Sequence, residues 1–129
     1  MRIEHHWSKA ERLESTRTAN LDSLLDDYEL VIWSCIQGGA QLANVILHAR
    51  GITAEQEDQV HSDTPELNRQ LPRDVAEILA VLKSIEELGP KFVRGIEPVK
   101  SELLRGCLDA YEKVKNFAAR SLEAGQARR

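Results

Sequence analysis

The sequence predicts an all-α protein, an antiparallel four-helix bundle in up-down-up-down order. A long loop carrying short helices separates its second and third long helices. Three observations lead there. Apolar residues recur at three- and four-residue spacing in long stretches. No stretch alternates as a half-buried strand would. And one run of twenty residues, Leu30 to Ala49, holds no charge at all.

That run is the organising element. Leu24, Tyr28, Val31, Cys35, Leu42 and Ile46 fall on one helical face. Leu25, Trp33, Ile36, Ala40, Ala43 and Leu47 widen it past half the circumference. The remainder is a narrow row of Gln37, Gln41, Asn44 and His48, spaced four, three and four. A solvated row normally carries Lys and Glu, whereas amides and an imidazole suit a partly dry surface. The row admits three readings: a buried network, the wall of a ligand pocket, or one side of a twofold dimer. Polarity without charge favours the dimer over the core. Gly38 and Gly39 each cost a helix about 1 kcal/mol relative to Ala, which implies close packing against the backbone. Gly51 suits the left-handed position of a Schellman cap, with Ile52 folding back on Leu47.

A first helix is expected from about Trp7 to Leu21, capped by Ser8 with Glu11 three residues on. Its apolar face is thin: Trp7, Ala10, Leu13 and Leu21. His5 and His6 are adjacent, would point apart on a helix, and read as surface residues. After Gly51, Thr53 and Gln56 suggest a capping box opening a short helix over Ala54 to Gln59. Thr64-Pro65 suggests a further single turn. Pro72 starts a third helix with a stripe of Val75, Ile78, Leu79, Leu82, Ile85 and Leu88, ended by Gly89-Pro90. The link through Phe92, Val93 and Ile96 is apolar enough to pack down. Pro98 opens a last helix whose face is Val99, Leu103, Cys107, Ala110, Val114, Phe117 and Ser121. The tail beyond Ala124 reads as frayed.

The chain's 129 residues suffice for one domain with a real core. Charged residues make up 29% and the formal net charge is −4, which disfavours binding DNA through a basic surface. Cys35 and Cys107 sit on apolar faces and read as reduced thiols of a reducing compartment, a disulfide between facing helices being the alternative. MRIEHHWSKAE lacks the apolar core of a signal peptide. The uncharged run is long enough for a membrane, but three amides, a histidine and two glycines make it a poor insertion segment. The expectation is a soluble, cytoplasmic protein.

No nucleophile elbow and no glycine-rich phosphate loop occurs, so no catalytic residue is assigned. The Glu-x-x-His pairs of di-iron bundles are absent. His48, His61 and Asp63 could converge as zinc ligands where the loop folds back. Against that, His48 can face the helix's last carbonyls and Asp63 can cap the turn at Thr64. The spacing matches no standard metal motif, so neither metal nor cofactor is expected. Arg94, in an apolar link, could reach a phosphate or carboxylate; an ion pair with a nearby Glu is the simpler reading.

The order of elements resembles a HEPN domain of the nucleotidyltransferase-associated type. The likeness spans about Leu21 to Leu122. It lies in Asp27-Tyr28, the long central helix, the helix end around Leu42 and Val45 to Ile52, the loop with His61, and the two helices after it. The strings His61-Ser62-Asp63-Thr64-Pro65 and Phe92-Val93-Arg94-Gly95 resemble a smaller bacterial branch, to which no activity attaches. The resemblance implies a helical bundle, a homodimer, a nucleotidyltransferase-like partner and binding of nucleotides or other polar ligands. HEPN ribonucleases carry an Arg followed four to six residues later by His. Arg50 has no His in that range, so the nuclease role does not carry over; Arg50, His48 and His61 are the nearest surrogates. The reading is a self-associating module binding a partner or small polar ligand through Gln37, Gln41, Asn44, His48, His61, Asp63 and Arg94. The alternatives are a HEPN-type nucleotide-acting enzyme or ribonuclease and a metal-dependent hydrolase.

Overall fold

The computed structural model describes residues 1–19, 28–59, 70–96 and 98–127. Among the described residues four α-helices pack together: α1 (Ile3–Ala19), α2 (Tyr28–Ala49), α3 (Arg73–Glu86) and α4 (Ser101–Ala127). A π turn, Gly89–Val93, joins α3 towards α4. No strand occurs among the described residues. His61, Asp63 and the Thr64-Pro65 turn lie outside them, as do Leu21, Leu24, Leu25 and Asp27.

Helix α2 contacts each of the other three helices and the π turn. From Val31 to His48 every residue is buried except Trp33 and Gln37. By length and composition α2 could cross a membrane, yet 83% of its apolar window is buried inside the protein. Its length of uncharged sequence is therefore explained by neighbours on nearly all sides.

The two α2 glycines are where those neighbours come closest. A Cβ on Gly38 would lie 2.9 Å from the Tyr111 hydroxyl oxygen, and one on Gly39 would lie 2.5 Å from a Leu82 methyl. Tyr111 and Leu82 are both fully buried. Small residues on α2 thus admit α4 at one point and α3 at the next. The cap follows the expected pattern: Gly51 takes φ +70°, Ile52 N–H donates to Leu47 O at 2.9 Å, and Gly51 N–H donates to His48 O at 3.1 Å.

Several boundaries differ from the sequence reading. Helix α1 begins at Ile3, a full turn before Trp7, so Ser8 lies inside the helix and caps nothing. Burial of Ile3, His6, Ala10 and Arg17 drives this; their three-four spacing continues the stripe N-terminally past the cap signal. At residues 54–59 there is a turn, not a helix. The Thr53 hydroxyl that would have capped a helix is bonded to His48 instead. Glu57 partly replaces it, its carboxylate accepting from Ala54 N–H at 3.0 Å.

Gly89-Pro90 does not end helical winding but opens the π turn, closed by Arg94 N–H donating to Gly89 O at 2.9 Å. Phe92 packs down as expected, whereas Ile96 is 97% exposed. The fully buried face of α4 is Leu104, Cys107, Tyr111, Val114, Ala118 and Ser121; Leu103, Ala110 and Phe117 sit half-buried beside it. The face rotates because Tyr111 fills the gap over Gly38. The helix continues to Ala127 rather than fraying beyond Ala124, with Gly125 close against Ala49. Cys35 and Cys107 are buried free thiols.

Gly38→Ala is expected to destabilise the protein in urea unfolding. The helix gains about 1 kcal/mol of propensity, but overpacking against the Tyr111 ring costs about 1–3 kcal/mol. Adding Tyr111→Phe should recover part of the loss. A Gly38→Ala protein more stable than the wild type would show that the contact is loose.

Candidate functional site: a histidine pair on one carboxylate

The Schellman cap reverses the chain at Gly51, so residues 52–59 run back along α2. Thr53 then lies beside His48, its carbonyl and hydroxyl 3.3 and 2.7 Å from His48 Nδ1. Further back, Gln59 N–H donates to Asn44 Oδ1 at 2.9 Å, while Asn44 Nδ2 donates to Ala40 O at 3.1 Å. The first half of α1 covers the same row from the other side. There His6 Nδ1 donates to Gln41 Oε1 at 2.6 Å. The amide row is therefore dry, and its burial is accounted for within a single chain. Gln37, half-buried, is the one member left near solvent.

Asp58 sits at the centre. Its Oδ1 lies 2.9 Å from His6 Nε2 and 3.0 Å from His48 Nε2. The two imidazole centres are 5.3 Å apart and the rings are inclined at 47°. The His6 side chain is fully buried and that of His48 is 1% exposed, whereas Asp58 is 33% exposed. The Met1 amino group donates to the other Asp58 oxygen at 2.8 Å and also to Glu55 O. Partial burial works against ionisation of Asp58. The hydrogen bonds from the Met1 amino group, His48 and His6 outweigh it and hold the carboxyl well below the usual carboxylate range.

Gln41 Oε1 and Asp58 Oδ1 are both acceptors, and each lies within hydrogen-bond distance of a His6 nitrogen. His48 can take a proton from the Thr53 hydroxyl at Nδ1, or donate to that oxygen and to the Thr53 carbonyl. Read purely as hydrogen bonds, the site sets two buried rings against a single carboxylate oxygen. Read as ligands, the two Nε2 atoms and Asp58 Oδ1 lie within 4.8 Å of one another, close enough to hold one metal ion. Each ring's other nitrogen is then held by an oxygen of Gln41 or Thr53, the outer-shell pairing that orients metal-bound histidines.

Of the residues singled out in the sequence, Gln41 and His48 meet at this site and Asn44 ties the chain beside it. Arg94 lies exposed at the end of the π turn and takes no part in the cluster. His6 corrects the sequence reading outright: it is buried at the centre rather than on the surface. The signal that could have found it is its place on the Ile3, Ala10, Leu13 stripe. Asp58 carried no signal, because only the reversal at Gly51 brings it under His48.

No family model matches the chain, and neither does any curated protein or solved structure.

Asn44→Ala removes the acceptor for Gln59 N–H in a fully buried position. It should cost about 1–3 kcal/mol in urea unfolding and open residues 54–59 to proteolysis. Unchanged stability and unchanged cleavage would show that Asn44 does not hold this segment.

Proposed function

We propose that this protein is a metal-binding helical module, with His6 Nε2, His48 Nε2 and Asp58 Oδ1 as the ligands of one divalent transition metal. The observation that carries the reading is the convergence of two buried Nε2 atoms on one Asp58 oxygen, with the other nitrogen of each ring beside an oxygen of Gln41 or Thr53. With a metal on Nε2 both rings stay neutral, and Nδ1–H of each donates to Gln41 or Thr53.

Two imidazoles and a carboxylate suit zinc, whose bonds of about 2.0–2.1 Å set tetrahedral ligand atoms about 3.3 Å apart. The Nε2–Oδ1 separations of 2.9 and 3.0 Å need to open by only a few tenths of an ångström. Three protein ligands leave a fourth position for water or a small polar ligand. Asp58 is the partly exposed member of the set, and solvent reaches the site on its side. This departs from the sequence-based expectation of no metal. It keeps His48 from the zinc set considered there and replaces His61 and Asp63 by His6 and Asp58. A metal-dependent hydrolase is the enzymatic form of the same reading.

The helix order, with α2 against all three others, supports an antiparallel up-down-up-down bundle as the frame. A second reading, the self-associating module implied by the HEPN likeness, is favoured by one observation. Leu30 and Trp33, one turn apart on α2, are 50% and 44% exposed, unusual for large apolar residues on a central helix. The amide row itself faces inward, so association would use this outer edge and Gln37.

Purified protein should carry or take up about one zinc per chain, measured by elemental analysis and calorimetry. Zinc at a hundredfold excess over its dissociation constant should add about 2.7 kcal/mol of stability. His6→Ala and His48→Ala should each abolish that gain. Equal zinc binding by the His6→Ala, His48→Ala double variant sinks the reading. For the second, Trp33→Glu should shift a dimer to monomer in gel filtration; a wild type that stays monomeric at high concentration removes it.

A further inference from the structure

Resting on the metal-site reading, we infer that the bound ion is a latch. It holds the first half of α1, residues 3–10, down on α2, and its loss releases that half while the second half stays docked. His6 is the one ligand that α1 supplies; His48 and Asp58 come from α2 and the returning segment. With residues 3–10 docked the ion has three ligands, and with them lifted it has two. A ligand shifts a two-state equilibrium only by its difference in affinity for the two states. Here that difference is a whole imidazole–metal bond.

The first half of α1 has little else to hold it. Its buried apolar residues are Ile3 and Ala10, with Trp7 half-buried. Towards α4 it does not close: a cavity of about 170 Å³ lies between Ile3, Trp7 and Ser8 on one side and Ala49, Leu122 and Gly125 on the other. That space forfeits dispersion contacts that a packed helix would make. Its central buried group is the His6 imidazole. The hydrogen bonds of that ring to Gln41 and Asp58 replace bonds to water and so contribute little net. The Met1 amino group adds an ion pair to Asp58, but the partners are 27% and 33% exposed, and wetted pairs are weak.

The second half is tied differently. Arg17 is buried, donates to Ser34 Oγ at 3.0 Å and lies 4.5 Å from the centre of the Tyr111 ring. Lys115 of α4 donates to Glu14 at 2.6 Å. None of these groups is a metal ligand, so their hold on α1 is indifferent to the ion. Tyr111 is also the ring that closes over Gly38, which joins this end of α1 to a close contact between α2 and α4. The two halves thus differ in what releases them, and the ion acts on the first alone. Lifting residues 3–10 uncovers Gln41 and His48, the polar row that the docked state keeps dry.

Amide hydrogen exchange of the full chain, followed by NMR with and without zinc, separates the halves, while calorimetry reads zinc binding itself. Relative to their intrinsic rates, the amides of residues 7–10 should exchange at least about tenfold faster than those of residues 14–17 in metal-free protein, the mark of a local opening. Zinc should slow the first group most, by up to about a hundredfold at a hundredfold excess over its dissociation constant, and close the gap. His6→Ala should keep the first group fast with or without zinc; His6→Gln serves should that variant lose helix content by circular dichroism. With Trp33→Phe leaving Trp7 as the sole tryptophan, zinc should also shift its emission to shorter wavelength. Zinc that binds while leaving the gap unchanged overturns the latch and leaves the metal site standing. So does metal-free protein with no gap between the two groups. Calorimetry that detects no zinc binding removes the metal site and the latch together.

Discussion

The constraint on which the rest depends is that a polar row on a nearly fully buried helix must be satisfied by groups other than water. A buried amide or imidazole without partners costs about 1–3 kcal/mol. Gln41, Asn44 and His48 pass this requirement on to their neighbours. Gln41 requires a donor, and α1 extends by a turn to place His6 there. Asn44 requires a donor, and the backbone of Gln59 comes back along the helix to give it. His48 requires partners on both nitrogens, and Thr53 and Asp58 provide them. The path of residues 50–59 and the start of α1 are consequences of three side chains on α2.

Much of this frame was legible in the sequence because it follows from local rules. An uncharged run with amides in one row reads as a helix with a dry flank. Two glycines in that helix read as close packing, and Gly51 reads as a left-handed cap. What the sequence hid is what depends on non-local geometry. Ser8 with Glu11 is a genuine capping pattern, but burial of Ile3 and His6 overrides it. Thr53 with Gln56 is another, overridden because the Thr53 hydroxyl is bonded to His48 Nδ1. Asp58 looks like any loop carboxylate until the chain reverses beneath His48. His6 was legible in principle, since it falls between Ile3 and Ala10 on the only stripe α1 has. In α4 the sequence reading names Cys107, Val114 and Ser121 of the buried face but not Leu104, Tyr111 and Ala118, because the angle of the face depends on Tyr111 settling over Gly38, a contact between residues far apart in the chain.

The same packing separates the molecule's two polar regions. The histidine pair lies where α1, the end of α2 and the returning segment meet, in a dry interior that opens on one side at Asp58. The exposed Arg50–Asp74 ion pair lies where the end of α2 meets α3, beside Phe117 and Arg120 of α4. Both are anchored at the last turn of α2, one through His48 and the other through Arg50, two residues on. A helix end contributes to both because successive side chains there point to different neighbours.

The most direct measurement of the central claim is long-range proton–nitrogen NMR of the histidine rings in protein loaded with cadmium-113 in place of zinc. The account predicts that His6 and His48 both carry their proton on Nδ1, with Nε2 of each showing coupling to the metal. Protons on both Nε2 atoms in the metal-loaded protein, with no coupling, would contradict it and leave Asp58 as the acceptor of two ordinary hydrogen bonds.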